Sequence, residues 1–303
     1  MKHFSIVVPT CNRPESLKRL LSALADLEYP AERFEVIVVD DGGRFPLGPI
    51  IQDCRERLNT VLLRQPRTGP AGARNFGAAN AGGRNLAFID DDCRPASGWL
   101  QALERVLDES QSAVCGGRVM NGLIGNPYSA ASQFLMDYLY EHYSPLTTPG
   151  AFFTTNNLAV ARSEFLEMGA FDPELRFGED RDFCYRWAMR GGRFRFVPEA
   201  VVWHFNDLRL SSFIRLHFQY GGGTASFRSR ARIKHLDRVR INPPSWYLKL
   251  ILSGVRTRRD LSGVVLSLLL ASSQAANTAG FLWQRLSDLA ARASSRTGGS
   301  ALE

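Results

Sequence analysis

The sequence predicts an α/β fold, a mixed and mostly parallel sheet flanked by helices, with a helical extension at its C-terminus. Over residues 1–90, short apolar runs of strand length alternate with longer amphipathic runs of helical period. Strands that alternate with helices form parallel sheets with right-handed crossovers. The 303 residues, 45% of them hydrophobic, are long enough for a sizeable core and too apolar for a disordered chain.

The first third of the chain supplies the strands and helices of this sheet in order. Residues 14–29 have five leucines on one helical stripe, with Pro14 in the first turn and Pro30 after the end. A Gly- and Ala-rich helix is expected from about residue 71. The remaining elements are strands over 4–8, 35–39, 61–63 and 86–89 and a helix around 49–58.

Residues 99–204 have a less regular pattern, which is typical of α+β structure. It predicts helices over 99–109 and 181–190 and strands over 113–119 and 158–160. Beyond residue 206 only helical patterns remain, and we expect the glycines at 221–223 and the prolines at 243 and 244 to break them. The predicted division is therefore an α/β domain over 1–205, in halves of about 1–95 and 96–205, and a helical extension over 206–303.

The positive charge of the chain is concentrated in its last third. Residues 207–303 hold 15 Lys and Arg against 5 Asp and Glu, a net charge of +10, whereas the whole chain has +7. A basic segment after an acidic body indicates an anionic partner such as lipid headgroups, nucleic acid or phosphate. Nucleic acid is disfavoured because no recognised nucleic-acid-binding motif accompanies these residues.

The cysteines and the apolar runs predict a cytoplasmic location. The five cysteines are scattered and have no CxxC spacing, which excludes a disulfide scaffold and a zinc ribbon and favours a reducing compartment. The apolar run at the start is too short for a signal peptide. No window of 18 residues is continuously apolar, so we expect no clear membrane span.

The sequence Phe-Ile-Asp-Asp-Asp-Cys at residues 88–93 is the most informative stretch. Side chains alternate along an extended chain, so Asp90 and Asp92 can point the same way while Asp91 points elsewhere. Carboxylates this close repel each other unless a cation lies between them, and hard oxygen ligands favour Mg²⁺ or Mn²⁺. A solvated acidic turn would give the same pattern.

Two further motifs lie at the ends of predicted elements, one at the end of a strand and the other at the start of a helix. Val-Val-Asp-Asp-Gly-Gly at 38–43 places a second acidic pair, including Asp40, at a strand end, where it could accept hydrogen bonds from a base or ribose. A plain Asp-Gly turn explains it equally well. Gly-Pro-Ala-Gly-Ala-Arg-Asn-Phe-Gly at 69–77 allows close backbone approach, and Arg74 could reach a phosphate. This spacing is neither a P-loop nor G-x-G-x-x-G.

Two motifs in the second half combine acids with a histidine. Gly-Glu-Asp-Arg-Asp-Phe at 178–183 opens a helix with acids, as capping alone would favour. His204 follows Trp203 after an apolar run, where a single histidine is usually structural. A metal site made by Asp92 would, however, accept an imidazole ligand.

In these motifs, together with Val-Pro-Thr-Cys-Asn-Arg-Pro at 8–14, the sequence resembles the inverting family 2 glycosyltransferases of GT-A fold. The motifs stand in the family's order and spacing, and the match covers roughly residues 3–223. Gln-Tyr-Gly-Gly-Gly at 219–223 is similar to a segment that follows the histidine in many members. Gly222 replaces the arginine usual there, so a basic contact is not expected from this position.

The resemblance implies a role for individual residues. The first half, about 1–95, would bind the nucleotide, with Asp40 facing the base, Asp90 on the ribose or diphosphate side, and the remaining contacts from Pro9, Thr10, Arg13, Arg74 and Asp91. Asp92 and His204 would bind Mn²⁺ or Mg²⁺. In the acceptor half, about 96–205, Asp180 would be the catalytic base with Glu179 beside it, and Asn156 and Asn157 would lie in acceptor-side loops.

The resemblance therefore implies metal-dependent transfer of a sugar, with inversion, from a nucleoside diphosphate sugar to an acceptor hydroxyl. UDP is the favoured nucleotide, with GDP and dTDP as alternatives, and the chain could form a homo-oligomer. Two other functions stay open: a non-catalytic nucleotide-sugar-binding or scaffold protein, and a nucleotidyltransferase. The latter would need a Gly-rich basic loop after the first strand, which residues 9–13 lack.

The C-terminal extension has two interrupted apolar runs, at 246–255 and 261–283, with basic residues between them. One interpretation is a pair of helices at the inner face of a membrane, attracted to anionic lipid and serving a lipid-linked acceptor. The other is a helical hairpin packed on the core or on a second subunit. The sequence favours neither.

Overall fold

One mixed sheet organises the chain between residues 4 and 204. The computed structural model describes residues 2–109, 112–142, 151–233 and 242–298, and within them the sheet has eight strands. The strands are β1 (Phe4–Thr10), β2 (Phe34–Asp41), β3 (Thr60–Gln65), β4 (Asn85–Phe88), β5 (Cys93–Pro95), β6 (Ala113–Asn121), β7 (Leu158–Ala161) and β8 (Arg193–His204). Their order across the sheet is β3-β2-β1-β4-β7-β6-β8-β5.

The first four strands form the parallel half that the alternating pattern predicts. Strand β1 lies between β2 and β4 and is parallel to both, and β3 is parallel to β2. Strand β7 joins this half to the rest through antiparallel pairs with β4 and β6. Strand β8 is parallel to β6 and antiparallel to β5, so the predicted mixed and mostly parallel sheet is confirmed.

Helices follow the strands along the chain. They are α1 (Pro14–Ala25), α2 (Gly48–Cys54), α3 (Pro70–Ala79), α4 (Trp99–Glu109), α5 (Pro127–His142), α6 (Arg162–Glu167), α7 (Glu179–Met189), α8 (Leu210–Ile233), α9 (Pro244–Thr257) and α10 (Leu261–Gly298). Helix α1 buries the leucine stripe expected of it, although it ends four residues earlier than predicted. Short 3-10 turns precede β2 and β7.

The Gly- and Ala-rich composition of α3 has a packing reason. A Cβ atom on Gly77 would come within 2.5 Å of Val7 Cγ1, so only glycine allows this helix to lie so close to β1. Gly69, just before the helix, has a φ of +92°, which L side chains rarely adopt. The turn into α3 thus depends on Gly69, and the packing of α3 on β1 depends on Gly77.

Parallel pairing brings the carboxyl ends of β1, β2 and β4 to one edge of the sheet. Thr10 at the end of β1 lies opposite Asp40 of β2, and Val7 lies opposite Phe88, the last residue of β4. Loops at the carboxyl ends of the strands in such sheets form the ligand crevice, and the loops that follow these strands lie side by side.

Five of the described elements differ from the sequence prediction, and two of them, strand β8 and helix α6, were simply not predicted. The three-residue strand β5 was missed because an isolated run so short has no period to recognise. Helix α5 was not predicted. Helix α8 runs unbroken through Gly221, Gly222 and Gly223, where we expected an interruption.

The chain divides into two units, Met1–Ile124 with Tyr140–Asn206, and Gly125–Leu139 with Asp207–Glu303. The second unit is helical, and one of its apolar clusters consists of Leu135, Trp246, Leu250 and Leu270. A Cβ atom on Gly221 would come within 1.9 Å of the Asn277 carbonyl oxygen, and one on Gly280 within 1.8 Å of the Phe218 carbonyl oxygen. The glycines therefore let α8 and α10 approach closely rather than ending α8.

Candidate functional site

The acidic loop after β4 is held by the loop after β1. Thr10 Oγ1 donates a hydrogen bond of 2.7 Å to Asp91 Oδ2, and Arg13 Nη2 lies 2.8 Å from Asp91 Oδ1. Burial raises the pKa of Asp91 to about 7, although Arg13 and Thr10 both act to lower it. The Asp91 side chain is fully buried and contacts Thr10 and Arg13 rather than solvent. Pro9, also buried, lies one residue earlier in β1.

The neighbouring Asp92 joins this loop to the end of β8. Its Oδ2 accepts 2.7 Å from Arg13 Nη1, and its Oδ1 lies 3.3 Å from His204 Nε2. Burial acts to raise the pKa of Asp92, but His204 and Arg13 outweigh it and hold the pKa well below the usual range. Burial likewise acts to lower the pKa of His204, which Asp92 nevertheless raises.

These groups fit a divalent cation. Ligand atoms of Asp92, His204 and Cys93 all lie within 4.8 Å of one another. Cys93 and His204 are direct partners in the antiparallel pair of β5 and β8, so their side chains leave the sheet on the same side. Carboxylate and imidazole are ordinary ligands of Mn²⁺, while a thiol suits softer metals. Sequence reasoning missed Cys93, because only the pairing of β5 with β8 brings it opposite the histidine.

The loop after β2 is built around its two aspartates. Asp40 is buried, accepts 2.8 Å from the Gly43 backbone N–H, and lies 3.4 Å from Arg64 Nε. Asp41, which the sequence analysis did not single out, accepts from the backbone N–H groups of Thr68 and Gly69 at 2.8 and 2.9 Å. Asp41 therefore fixes the turn that leads into α3, and its place in the Asp-Asp-Gly sequence was the signal that could have identified it.

Arg74 lies between two carboxylates at the centre of the site. It reaches inward from α3, is 4% exposed, and donates 2.6 Å to Asp90 Oδ1 and 2.7 Å to Glu179 Oε1. Burial raises the pKa of Glu179 to about 7 against the opposing effect of Arg74. Two of the Arg74 nitrogens thus bind carboxylates of the protein, and the expected phosphate contact of Arg74 stays a prediction. Asp90 is 26% exposed at its side chain and keeps access to solvent.

Asp180 follows Glu179 in the first turn of α7. Gly178 before it has a φ of +84°, and the Arg181 backbone N–H donates 2.7 Å to Asp180 Oδ1. Burial raises the pKa of Asp180, and the Asp90 carboxylate contributes in the same direction, whereas Arg181 and Arg74 oppose it. As a whole residue Asp180 is only partly buried, whereas Glu179 is buried.

The two asparagines expected near an acceptor are both buried and engaged. Asn157 Oδ1 accepts 2.9 Å from Trp99 Nε1, and its Nδ2 donates to the carbonyl oxygens of Arg118 and Ala200 at 3.1 and 2.8 Å. Its amide connects three elements and has no free N–H for an acceptor. Asn156 Oδ1 accepts 2.6 Å from Thr154 Oγ1, which in turn lies 2.8 Å from the Tyr140 hydroxyl. Tyr140 and Thr154 carried no sequence signal.

Taken together, the crevice holds several carboxylates, two arginines and a histidine at the carboxyl ends of parallel strands. Such an edge is where α/β sheets bind nucleotides, and the carboxylate–imidazole pair supplies ligands for the cation that accompanies a diphosphate. The fold is of the GT-A type, and this edge of its sheet is a candidate nucleotide-binding crevice.

The comparisons with known proteins agree with this class. The family model described as glycosyl transferase family 2 matches residues 5–169, and the chain belongs to this family. Among curated relatives, the pre-mycofactocin glycosyltransferase of Mycobacterium tuberculosis is 30% identical over 240 residues, which are 78% of this chain and 48% of that protein. The chain therefore spans about half the length of this relative.

Solved structures show the same fold. The mannosyltransferase PcManGT from Pyrobaculum calidifontis, in complex with GDP-Man and Mn²⁺, aligns with a TM-score of 0.66 at 17% identity and covers 93% of this chain and 87% of its own. Residues 1–349 of TarS from S. aureus, in complex with UDP-GlcNAc, align with a TM-score of 0.55 at 18% identity, covering 93% and 89%. The predicted GT-A-like fold and family resemblance are thus confirmed.

Proposed function

We propose that this chain transfers a sugar from a nucleoside diphosphate sugar to an acceptor hydroxyl with inversion at the anomeric carbon. The observation that carries the proposal is the position of Asp180, a partly buried residue in the first turn of α7, beside the Asp90–Arg74–Glu179 network. One carboxylate is what a single displacement needs, because only one proton has to be removed from the acceptor.

In this reaction Asp180 takes the proton of the acceptor hydroxyl. The acceptor oxygen forms its bond to the anomeric carbon while the bond from that carbon to the diphosphate oxygen breaks, and the diphosphate leaves with the electron pair. The raised pKa of Asp180 makes it a stronger base than an ordinary aspartate. The rate should therefore rise with pH through this raised pKa, since only the ionised form accepts the proton.

Asp92 and His204 would hold a divalent cation, Mn²⁺ or Mg²⁺, and Arg13 fixes the Asp92 carboxylate that faces it. When bound, such a cation stabilises the negative charge on a departing diphosphate. We assign the nucleotide to the crevice beside Asp40, Asp90 and Thr10. The solved relatives bind GDP-Man or UDP-GlcNAc, so UDP and GDP are the first donors to test, followed by dTDP.

Two alternative functions predict a different outcome when the donor is added. A non-catalytic nucleotide-sugar-binding protein would bind donor without turnover, and a nucleotidyltransferase would release pyrophosphate rather than a nucleoside diphosphate. We place the reaction in the cytoplasm at the inner face of a membrane, where the acceptor could be lipid-linked. The chain could also act as a homo-oligomer.

The test is slow donor hydrolysis, in which water replaces the acceptor. UDP-, GDP- and dTDP-sugars are incubated with the full chain and Mn²⁺, and free nucleoside diphosphate is measured together with the anomeric configuration of the released sugar by NMR. We expect nucleoside diphosphate and an inverted sugar. Donor binding without release, release of pyrophosphate, or a retained configuration would each contradict the proposal.

A further inference from the structure

A stripe of exposed apolar side chains runs along α10. Six apolar residues at helical spacing lie on one face of α10, and their side chains are 40–79% exposed. They are Leu261, Val265, Leu268, Leu282, Leu286 and Leu289. We call this set the outer stripe. Leu270 and Ser273, on the opposite face, are at most 1% exposed. A regular apolar face open to solvent on this scale marks a binding surface rather than scattered exposed leucines.

The sequence around the outer stripe indicates what covers it. From Leu261 to Gln284 the helix has no charged residue. A helix that pairs with another in water usually has charges flanking its apolar seam, and these form ion pairs across the interface. Serine, glutamine, asparagine and small residues flank this seam instead. The composition therefore favours lipid over a second helix as the occupant.

Charged and aromatic residues mark both ends of the uncharged segment. Arg256, in the last turn of α9, and Arg258 and Arg259, in the connection that follows it, are exposed directly before the outer stripe begins. Trp283, 64% exposed, and Arg285 stand where the uncharged segment ends. Arginine attracts anionic headgroups, and tryptophan prefers the boundary between headgroups and acyl chains.

Length and composition alone would let part of α10 cross a membrane. The segment Leu261–Ala291 has a window with mean hydropathy of 1.3, of which 22% is buried. However, the opposite face of α10 is packed on α8 through Gly221 and Gly280, and α8 is a helix with several arginines. Crossing would expose that packed face or carry α8 into the hydrocarbon, whereas lying along the surface keeps both contacts.

We propose that the outer stripe and Arg256, Arg258 and Arg259 form a docking surface for an anionic membrane, with α10 lying in the plane of the headgroups. The proposal rests on the proposed function in one respect: docking would bring the chain to an acceptor at the membrane. Binding itself can be measured without turnover, and donor hydrolysis without vesicles measures the proposed function separately.

The experiment is vesicle flotation of the full chain. Vesicles of phosphatidylcholine alone are compared with vesicles that also contain phosphatidylglycerol, at low and at high salt. We expect binding to the anionic vesicles that weakens at high salt, because screening reduces the attraction of the arginines. Each cation near an anionic surface is worth roughly a fivefold gain in partitioning, so Arg258→Glu/Arg259→Glu should weaken binding by about 25-fold or more.

The apolar contribution is tested by Leu282→Ser/Leu286→Ser, which should weaken vesicle binding by about tenfold or more. Matched controls change the same chemistry elsewhere. Lys18→Glu/Arg105→Glu makes the same change in net charge, and Ile124→Ser/Leu166→Ser removes two exposed apolar side chains. Both controls should bind as the wild type does, and all four variants should hydrolyse donor at the wild-type rate without vesicles.

Several outcomes would overturn the proposal. One is an absence of vesicle binding, and another is equal binding by the docking-surface variants and their controls. Binding that resists both high salt and alkaline carbonate would mean that α10 crosses the bilayer. A dimer in solution, measured by light scattering, that Leu282→Ser/Leu286→Ser converts to a monomer would make the outer stripe an interface with a second copy of this chain.

Discussion

Removal of Arg74 should destabilise the protein in a way that depends strongly on pH. The guanidinium lies between Asp90 and Glu179 at 2.6 and 2.7 Å, and Arg74 and Glu179 are both buried. Arg74→Met keeps the unbranched chain and removes the charge. Breaking a buried ion pair by removing one partner costs about 3–5 kcal/mol, since the remaining charge is left unpaired. Asp90 is partly exposed and adds little to this cost.

The pH dependence follows from Glu179. Its pKa is raised to about 7 in the folded chain, above the unfolded value, so its contribution to stability is present below about pH 4.5 and is lost as pH rises through 7. Without Arg74, which opposes this shift, the pKa of Glu179 rises further. At pH 5.5 the variant therefore keeps Glu179 protonated and loses about 1–2 kcal/mol of unfolding free energy, whereas at pH 8, about one unit above the folded pKa, it loses roughly 1.4 kcal/mol more.

Urea unfolding at pH 5.5 and pH 8, followed by circular dichroism, measures both values. Arg74→Met/Glu179→Gln removes the stranded carboxylate and should abolish most of the difference between the two pH values. The control Arg84→Met breaks an exposed pair with Asp108 and should cost less than about 1 kcal/mol. An equal loss at both pH values would refute the reasoning. So would unchanged stability with a large loss of nucleoside diphosphate affinity, which would return Arg74 to the phosphate contact that the sequence suggested.

Three further predictions concern the base, the cation and the helical unit. Asp180→Asn should lower the transfer rate by about 10²–10⁴-fold with little change in donor affinity measured by calorimetry, and wild-type turnover would exclude Asp180 as the base. Asp92→Asn should weaken Mn²⁺ binding, measured by electron paramagnetic resonance, by more than about 100-fold, whereas Glu109→Gln on α4 should leave it unchanged. Gly221→Ala should lower the melting temperature because its Cβ meets the Asn277 carbonyl at 1.9 Å, while Gly222→Ala, whose nearest neighbour is at 3.7 Å, should raise stability by up to about 1 kcal/mol. Equal effects of the two glycine substitutions would contradict the close approach of α8 and α10.

The sequence was sufficient for the parallel half of the sheet, because local periodicity and handedness rules determine it. The apolar runs of β1 and β2 and the leucine stripe of α1 are local signals, and the loops after the strands follow from them. The residues that form the site were also recognisable, since Asp90, Asp92, Glu179 and Asp180 each stand in a short acidic motif. The family and the fold of the chain are established, whereas the roles of these individual residues stay predictions.

What the sequence could not provide was the pairing of residues that are distant in the chain. Nothing near Arg74 shows that it will be held by Glu179 of α7, and nothing near Asn157 shows that Trp99 will donate to it. The unbroken α8 is a failure of a different kind. Glycine lowers helix propensity locally, but the packing of α10 against Gly221 outweighs that preference.

The short strand β5 has a consequence for how the edge of the sheet opens and closes. It holds only Cys93, Arg94 and Pro95 against β8, and that pairing places Asp92 beside His204. So small an edge has little cooperative stability of its own and is expected to fluctuate open more often than the central strands. A cation bound by both Asp92 and His204 would link chain segments that are far apart in sequence. Opening this edge would then also require the cation to dissociate, so the free energy of local opening should increase with the cation concentration.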